Sequence, residues 1–159
     1  MPQFEASLLN IVPLTSRHAA EMESWEYDGQ WSIYNGEELS NIADYWAVLN
    51  DAEELVGFYC TGEEARVPGV TADPNLLDIG LGMRPDLVGA GNGREFASAI
   101  MTHCRTHYKG VQARAVVQAW NVRSLRLAEN MGFRVVGEHP LTQNGETVTY
   151  AVLMLDLRN

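Results

Sequence analysis

An apolar run, a glycine-rich loop and a helical stretch follow one another between residues 76 and 105, and they constrain this chain more than any other segment. The apolar run from Leu76 to Met83 predicts a strand, which Pro85 ends. Glycines then alternate over 89–93, and apolar residues at helical spacing follow from Phe96 to Cys104. Glycine adopts backbone conformations closed to other residues, so several N–H groups can converge on one anion, and the helix N-terminus adds more. The order therefore predicts a phosphate-binding loop, although three glycines also occur in ordinary turns.

Two well-known phosphate loops do not fit this segment. The chain has no GxxxxGK[ST], and its spacing is not the GxGxxG of dinucleotide-binding proteins. Residues 88–93 (VGAGNG), with the lead-in 83–86 (MRPD), instead resemble the coenzyme loop [QR]xxGx[GA] of the GNAT acetyltransferase superfamily.

A second motif follows at the expected distance. Residues 121–133 (NVRSLRLAENMGF) resemble the NxxSxxxxxxxGF helix of the same superfamily. Local chemistry agrees, because Asn121 suits a helix N-cap and Gly132 suits the left-handed residue that ends a helix. From these two motifs, which together cover 76–133, the chain is identified as a member of the GNAT superfamily.

The resemblance implies the fold. We expect one α/β (α+β) domain over residues 1–159, with a mixed, mostly antiparallel sheet of about six to seven strands and about four helices. It also implies that the sheet splays apart at the coenzyme site, beside the strand that ends near Met83. Hydrophobic patterns predict helices over 16–25 and, weakly, over 37–45. They predict strands at 8–13, 46–50, 54–61, 76–83, 111–119, 133–138 and 146–156.

Bulk properties narrow the function. A formal charge of −10 argues against nucleic acid as a partner. It fits a cationic substrate somewhat better, although an acidic surface that maintains solubility explains most of the charge. No segment has the ~20 apolar residues of a membrane span, and no signal pattern opens the chain, so we expect no membrane partner. Cys60 and Cys104 have neither metal nor disulfide spacing. Together these observations predict a cytoplasmic location. His103 and His107 share a helix face but lack a third ligand, so we expect no metal site and interpret them as surface histidines.

Roles at the coenzyme site follow from the resemblance. The backbone N–H of Met83 would hold the oxyanion, Asp78 or an ordered water would remove the amine proton, and Ser124 would lie near the thiol. The residues expected to contact acetyl-CoA are Met83, Arg84, Gly89, Ala90, Gly91, Asn92, Gly93, Arg94, Asn121 and Ser124.

The acceptor site is expected in an early aromatic segment. Its members could form the wall of a cleft or could simply be core, and they are Trp25, Tyr27, Asp28, Trp31 and Tyr34. Together with the coenzyme motifs, this segment indicates an acetyl-CoA-dependent N-acetyltransferase acting on a primary amine of a small molecule or a protein or peptide. The sequence is compatible with a homodimer.

Two departures from the family pattern leave an alternative open. Ala128 stands where many relatives carry a tyrosine that protonates the leaving thiolate, so Ser124, Tyr150 or water would have to replace it. Val88 stands where glutamine or arginine is usual. The alternative is a catalytically weak GNAT domain that binds acyl-CoA as a sensor or regulatory module.

Overall fold

A computed structural model describes residues 8–35, 39, 41–108 and 111–157, without the side chains of residues 30, 31, 34 and 143. Seven strands form one sheet in the order β1-β2-β3-β4-β5-β7-β6. The strands are β1 (Asn10–Pro13), β2 (Tyr45–Leu49), β3 (Leu55–Thr61), β4 (Leu76–Met83), β5 (Gln112–Gln118), β6 (Arg134–Gln143) and β7 (Glu146–Asp156). The α-helices in these ranges are α1 (Ser16–Glu23), α2 (Gly93–His107) and α3 (Val122–Asn130). The expected mixed, mostly antiparallel sheet is confirmed, since only β4 and β5 pair in parallel.

The helix expected over 37–45 is not found in the described part of that segment. In the described part of that segment, Ile42–Asp44 forms a single 3₁₀ turn, and β2 begins at Tyr45; residues 37, 38 and 40 lie outside the described ranges. The Asn41 side chain accepts a hydrogen bond from the Ala43 N–H and so caps the turn instead of starting a helix. The described chain therefore has three α-helices where about four were expected.

Strand β6 is longer than its apolar pattern indicates. The ladder with β7 continues through Pro140 to Gln143, and the hairpin turns at Asn144 and Gly145, whose φ angles are 53° and 80°. A proline is tolerated because β6 is an edge strand, where the ladder has a neighbour on one side only. The segment between the strands predicted at 133–138 and 146–156 is thus mostly strand.

Helices cover both faces of the sheet. On one face α2 buries Phe96, Ile100 and Cys104 in the main core, which also includes Ile79 of β4. On the other face α1 contributes to a second core, in which Trp25 packs with Phe58 of β3. None of the helices in the described ranges is long and apolar enough to span a membrane.

The sheet opens between β4 and β5. The two strands pair over three residues, from Leu76 with Gln112 to Asp78 with Arg114. Beyond that point β4 stays paired with β3 as far as Met83, and β5 stays paired with β7 as far as Gln118. Because each strand follows its other neighbour, a gap forms between the described residues 79–83 and 115–118. This gap, which we call the splay, confirms the expected opening of the sheet beside Met83.

Candidate active site

The end of β4 presents backbone polar groups to the splay. Met83 is directly opposite Gly57 of β3, and the next N–H along, that of Arg84, donates to the Val56 carbonyl at 2.8 Å. In an antiparallel ladder such bonded pairs alternate with unbonded ones, so the N–H and C=O of Met83 both point away from β3. They face the splay, where an oxyanion could accept a hydrogen bond from the N–H. This geometry is what the predicted role of Met83 requires.

A tyrosine from the early aromatic segment reaches the same strand end. The Tyr27 hydroxyl donates to the Met83 carbonyl at 2.8 Å, across 56 residues of sequence. The Asn35 side chain holds the Tyr27 backbone on both sides, accepting from its N–H at 2.6 Å and donating to its carbonyl at 3.4 Å. Tyr27 is therefore anchored with its hydroxyl on the splay side of β4.

The glycine loop between β4 and α2 has the backbone of an anion-binding loop. Gly89 and Gly91 have φ angles of 73° and 85°, in the left-handed region that other residues avoid. Helix α2 begins at Gly93, so its unpaired N–H groups follow the loop directly. A Cβ on Gly93 would lie 3.4 Å from Leu127 of α3, an ordinary van der Waals distance, so helix packing does not require a glycine at this position. This backbone is compatible with the diphosphate of a coenzyme, and the contact of residues 89–93 with it stays a prediction.

Asn92 supports this loop from inside. Its side chain is 1% exposed, and its amide donates to the Leu87 carbonyl at 3.3 Å. Its Oδ1 has no hydrogen-bond partner within the described part of the chain. The side chain thus faces the protein interior, which leaves only the Asn92 backbone for the predicted coenzyme contact.

The arginines around the glycine loop differ in their contacts. Arg84 makes two hydrogen bonds to Asp86, at 2.6 and 3.1 Å, and a third to the Leu55 carbonyl. The hydrogen bond to Asp86 raises the pKa of Arg84 and lowers that of Asp86. The Arg123 guanidinium lies 3.8 Å from where a Gly89 Cβ would be, and Arg94 is exposed at the start of α2. Arg123 therefore lies beside the glycine loop, although the sequence did not single it out.

Helix α3 begins as predicted. The Asn121 side chain is 2% exposed and accepts from the Ser124 N–H at 3.2 Å, which makes Asn121 the N-cap. Gly132 ends the helix with a φ of 103°. Ser124 is partly buried in the first turn, and Ala128 one turn later is 5% exposed within the main core.

The proposed role of Asp78 as general base does not agree with the geometry. Its carboxylate is 3% exposed; one oxygen accepts from Arg114 at 2.6 Å, and the other from Arg66 at 3.0 Å and Arg114 at 3.2 Å. A base needs a free lone pair directed at the acceptor amine, whereas both oxygens here are held by guanidinium groups. Asp78 and Arg114 are also the last paired residues before the splay. Asp78 therefore closes the apex of the splay and has a structural role.

The residues predicted to form the acceptor site do not lie together in the structure. Trp25 is 8% exposed and belongs to the second core, while Asp28 is exposed. The side chains of Trp31 and Tyr34 lie outside the description. Tyr27 alone among the described aromatic residues of this segment is placed at the splay.

Phe58 of β3 lies on the same face of the sheet as Tyr27, and the sequence did not mark it as a site residue. Its ring lies over Gly82 of β4, because a Cβ on Gly82 would be 2.6 Å from Phe58 Cε1. The ring also contacts Tyr45 at a centroid distance of 5.7 Å. Two glycines at alternate positions of β4, Gly80 and Gly82, were the available signal that something packs closely against that face.

Of the two histidines of α2, His107 is exposed as expected, whereas His103 is partly buried. His103 hydrogen-bonds through Nδ1 to the Tyr59 hydroxyl, contacts the Trp46 ring and stacks on His107 at 3.9 Å. Burial, with a smaller contribution from His107, lowers the pKa of His103 to about 4. Within the described residues no three His, Cys, Asp or Glu side chains are grouped to hold a metal ion.

Known proteins agree with this architecture. Residues 9–134 match the family model described as an acetyltransferase (GNAT) domain. A GNAT-family acetyltransferase from Bacillus anthracis superposes with a TM-score of 0.72 at 16% identity, covering 96% of each chain. The spermidine/spermine N-acetyltransferase SpeG from Vibrio cholerae gives 0.67 at 15% identity, covering 96% of this chain and 94% of its own.

A further structure contains the coenzyme. YncA, a putative acetyltransferase from Salmonella typhimurium with its cofactor acetyl-CoA, superposes with a TM-score of 0.61 at 17% identity, covering 94% of each chain. At these identities the structures show the fold alone, and no curated protein sequence matches the chain. The family model spans most of the chain and both coenzyme motifs, so the chain belongs to the GNAT acetyltransferase family.

Proposed function

We propose that this protein is an N-acetyltransferase that transfers the acetyl group of acetyl-CoA to a primary amine of a small molecule or peptide. The observation that carries the proposal is the splay, with the Met83 N–H facing into it at one end of β4 and the glycine loop following directly. Thioester and diphosphate are the two parts of acetyl-CoA that these two features suit.

Different groups would bind the coenzyme, stabilise the oxyanion and accept the proton of the amine. The backbone of residues 89–93 and the N-terminus of α2 would hold the diphosphate, with Arg123 and Arg94 offsetting its charge. The Met83 N–H would stabilise the oxyanion that forms when the amine attacks the carbonyl carbon. An alkylamine has a pKa of about 10, so it must lose a proton first. Because Asp78 is engaged by Arg66 and Arg114, we assign that proton to water.

The acceptor is proposed to be a cationic amine. Structural neighbours include SpeG, a spermidine/spermine N-acetyltransferase, and AAC(6')-Ib, solved in complex with ribostamycin or paromomycin. Both are named for amines or were solved with amines, and the formal charge of −10 on this chain would attract such molecules. The rings of Tyr27, bonded to Met83, and Phe58, packed on Gly82, would supply apolar contact beside the splay.

The test is release of free coenzyme A thiol from acetyl-CoA in the presence of polyamines, aminoglycosides and short peptides. We expect turnover with at least one amine, above the rate of acetyl-CoA hydrolysis without an acceptor. Calorimetry with acetyl-CoA in parallel separates the two parts of the proposal. Tight binding without turnover on any amine would favour the sensor alternative and contradict the proposed enzyme.

A further inference from the structure

The chain lacks a family tyrosine at Ala128, yet it has a tyrosine hydroxyl at the reaction site from a different element. We propose that Tyr27 is the general acid that protonates the coenzyme thiolate as it leaves. The assignment rests on the proposed acetyl-transfer function. It rests equally on the contact between the Tyr27 hydroxyl and the Met83 carbonyl at 2.8 Å.

The position of that carbonyl places the hydroxyl at the reacting atoms. The N–H and C=O of one strand residue point to the same side, so the Met83 carbonyl faces the splay together with the N–H that would hold the oxyanion. A group bonded to the carbonyl is therefore next to the site of the thioester oxygen. In a thioester the sulfur and the oxygen are attached to the same carbon, so the Tyr27 hydroxyl is within reach of the sulfur.

Tyr27 is also held in place from behind. Its ring packs against the second core, which contains Trp25, and the Asn35 side chain bonds both of its backbone polar groups. Such support keeps a hydroxyl in one position before the substrate arrives. Rotation about the phenol C–O bond would then redirect the O–H from the Met83 carbonyl to the sulfur.

The other candidates for the acid are less well placed. Ala128 has no donor and is 5% exposed in the main core. Tyr150 lies on β7, which is separated from β4 by β5, and its ring faces His139 of β6. Ser124 lies in the first turn of α3, whereas the Tyr27 hydroxyl contacts Met83 itself.

The proton transfers balance. The amine nitrogen bonds to the acetyl carbon, and the carbonyl electron pair moves to the oxygen at the Met83 N–H. When that pair returns, the C–S bond breaks, its electrons go to sulfur, and the Tyr27 proton follows them to give the thiol. The ammonium has already lost one proton to water before its nitrogen attacks. The phenolate takes the second proton, which the nitrogen loses on becoming an amide. Amine and thioester yield amide and thiol, and Tyr27 regains its proton.

The first test measures the pKa of the bound coenzyme A thiol and needs no acceptor. Thiolate absorbance is titrated in the complex with coenzyme A, and the complex with its S-methyl ether serves as the blank. A hydroxyl that donates to the thiolate lowers the thiol pKa from its ordinary value of about 8.5. We expect Tyr27→Phe to raise the thiol pKa of the complex by about one unit, the size of a hydrogen bond to a charged group.

The matched control is Tyr108→Phe. Tyr108 is another phenol, whose hydroxyl accepts a hydrogen bond from Trp46 Nε1 at 2.9 Å, and it lies at the C-terminal end of α2, away from the glycine loop. This variant should leave the thiol pKa unchanged.

The second test uses an amine acceptor from the panel described above. Tyr27→Phe should lower kcat by about 10²-fold, typical of a lost general acid, while the affinity for acetyl-CoA stays the same. The wild-type kcat should fall at high pH as the acid loses its proton, and Tyr27→Phe should lack that decline.

The outcomes separate this assignment from the proposed function. If coenzyme A binds but its thiol pKa is the same in the wild type and in Tyr27→Phe, the acid lies elsewhere and only the Tyr27 assignment fails. A Tyr27→Phe variant that lost affinity or stability without a change in thiol pKa would show a structural role and would also overturn it. If coenzyme A binds to none of the proteins, the proposed function fails and the assignment fails with it.

Discussion

At the scale of the residue, the Asp78 carboxylate could act either as a general base or as the partner of two arginines, and a substitution distinguishes the two roles. Replacing it by asparagine removes the charge that pairs with Arg66 and Arg114, whose side chains are only 22% and 13% exposed. Breaking a buried ion pair leaves an uncompensated charge and costs about 3 kcal/mol. We expect Asp78→Asn to lower the free energy of unfolding in urea by that amount, with kcat falling far less than the ~10²-fold of a lost general base.

Asp86→Asn is the control for this comparison. Asp86 also pairs with an arginine, Arg84, but its side chain is 61% exposed, so the pair contributes less than about 1 kcal/mol. Equal destabilisation by the two variants would show that Asp78 does not hold the apex of the splay. A loss of turnover in a fully stable Asp78→Asn protein would restore it as the base.

Ala128 is the second residue at which the structure decides an outcome. With 5% of its surface exposed in the main core, it has no room for a phenol ring. We expect Ala128→Tyr to cost about 1–3 kcal/mol by overpacking and to give no increase in kcat. Thermal unfolding and thiol release measure the two effects. A several-fold rate gain at unchanged acetyl-CoA affinity would mean that the chain is a catalyst weakened by the lack of an acid at this position.

At the scale of the element, the loop between β4 and α2 combines unusual backbone conformations with a binding role, and a variant can separate them. Gly91 has a φ of 85°, so any side chain strains the backbone, and an aspartate adds negative charge where the diphosphate would bind. We expect Gly91→Asp to weaken acetyl-CoA binding more than tenfold in calorimetry, since like charges oppose each other at a helix N-terminus.

Gly145→Asp is the matched control for that prediction. Gly145 has a φ of 80° in the β6–β7 turn, and nothing lies within 4 Å of the position of its Cβ. It therefore introduces a similar strain and the same charge away from the loop. If both variants bind acetyl-CoA as the wild type does, the assignment of the loop is wrong.

At the scale of the whole molecule, His103 couples stability to pH. Its folded pKa of about 4 lies below the ordinary value of 6.5, so the unfolded chain takes up a proton that the folded chain does not. The contribution is absent above pH 6.5 and becomes increasingly unfavourable as the pH falls towards 4. Its contacts with Tyr59, Trp46 and His107 include no carboxylate that would favour the charged ring.

The urea midpoint should therefore fall between pH 6.5 and pH 4 by more in the wild type than in His103→Gln. His139→Gln, which alters a histidine on β6 instead, should follow the wild type. Parallel curves for all three proteins would show that His103 does not contribute to the acid sensitivity.

The order strand, glycine loop, helix and capped second helix was determined by local sequence. Strand β4, the cap at Asn121 and the left-handed Gly132 all lie where the pattern predicted, because hydrophobic spacing, capping and glycine conformation act over a few residues. The short helix over 37–45 was wrong because local side-chain chemistry competes with helix formation there. The Asn41 side chain caps the 3₁₀ turn Ile42–Asp44, and β2 begins at the next residue.

Tertiary structure alone decided what the site residues do. The sequence shows Asp78 only as an acidic residue on a strand, and the fold brings Arg66 and Arg114 into contact with it to form ion pairs. Tyr27 reads as one of several aromatic residues, and only a contact across 56 residues places its hydroxyl at Met83. The sequence specifies side-chain chemistry and local backbone, whereas the free lone pairs and protons that a reaction uses depend on which distant groups the fold brings together.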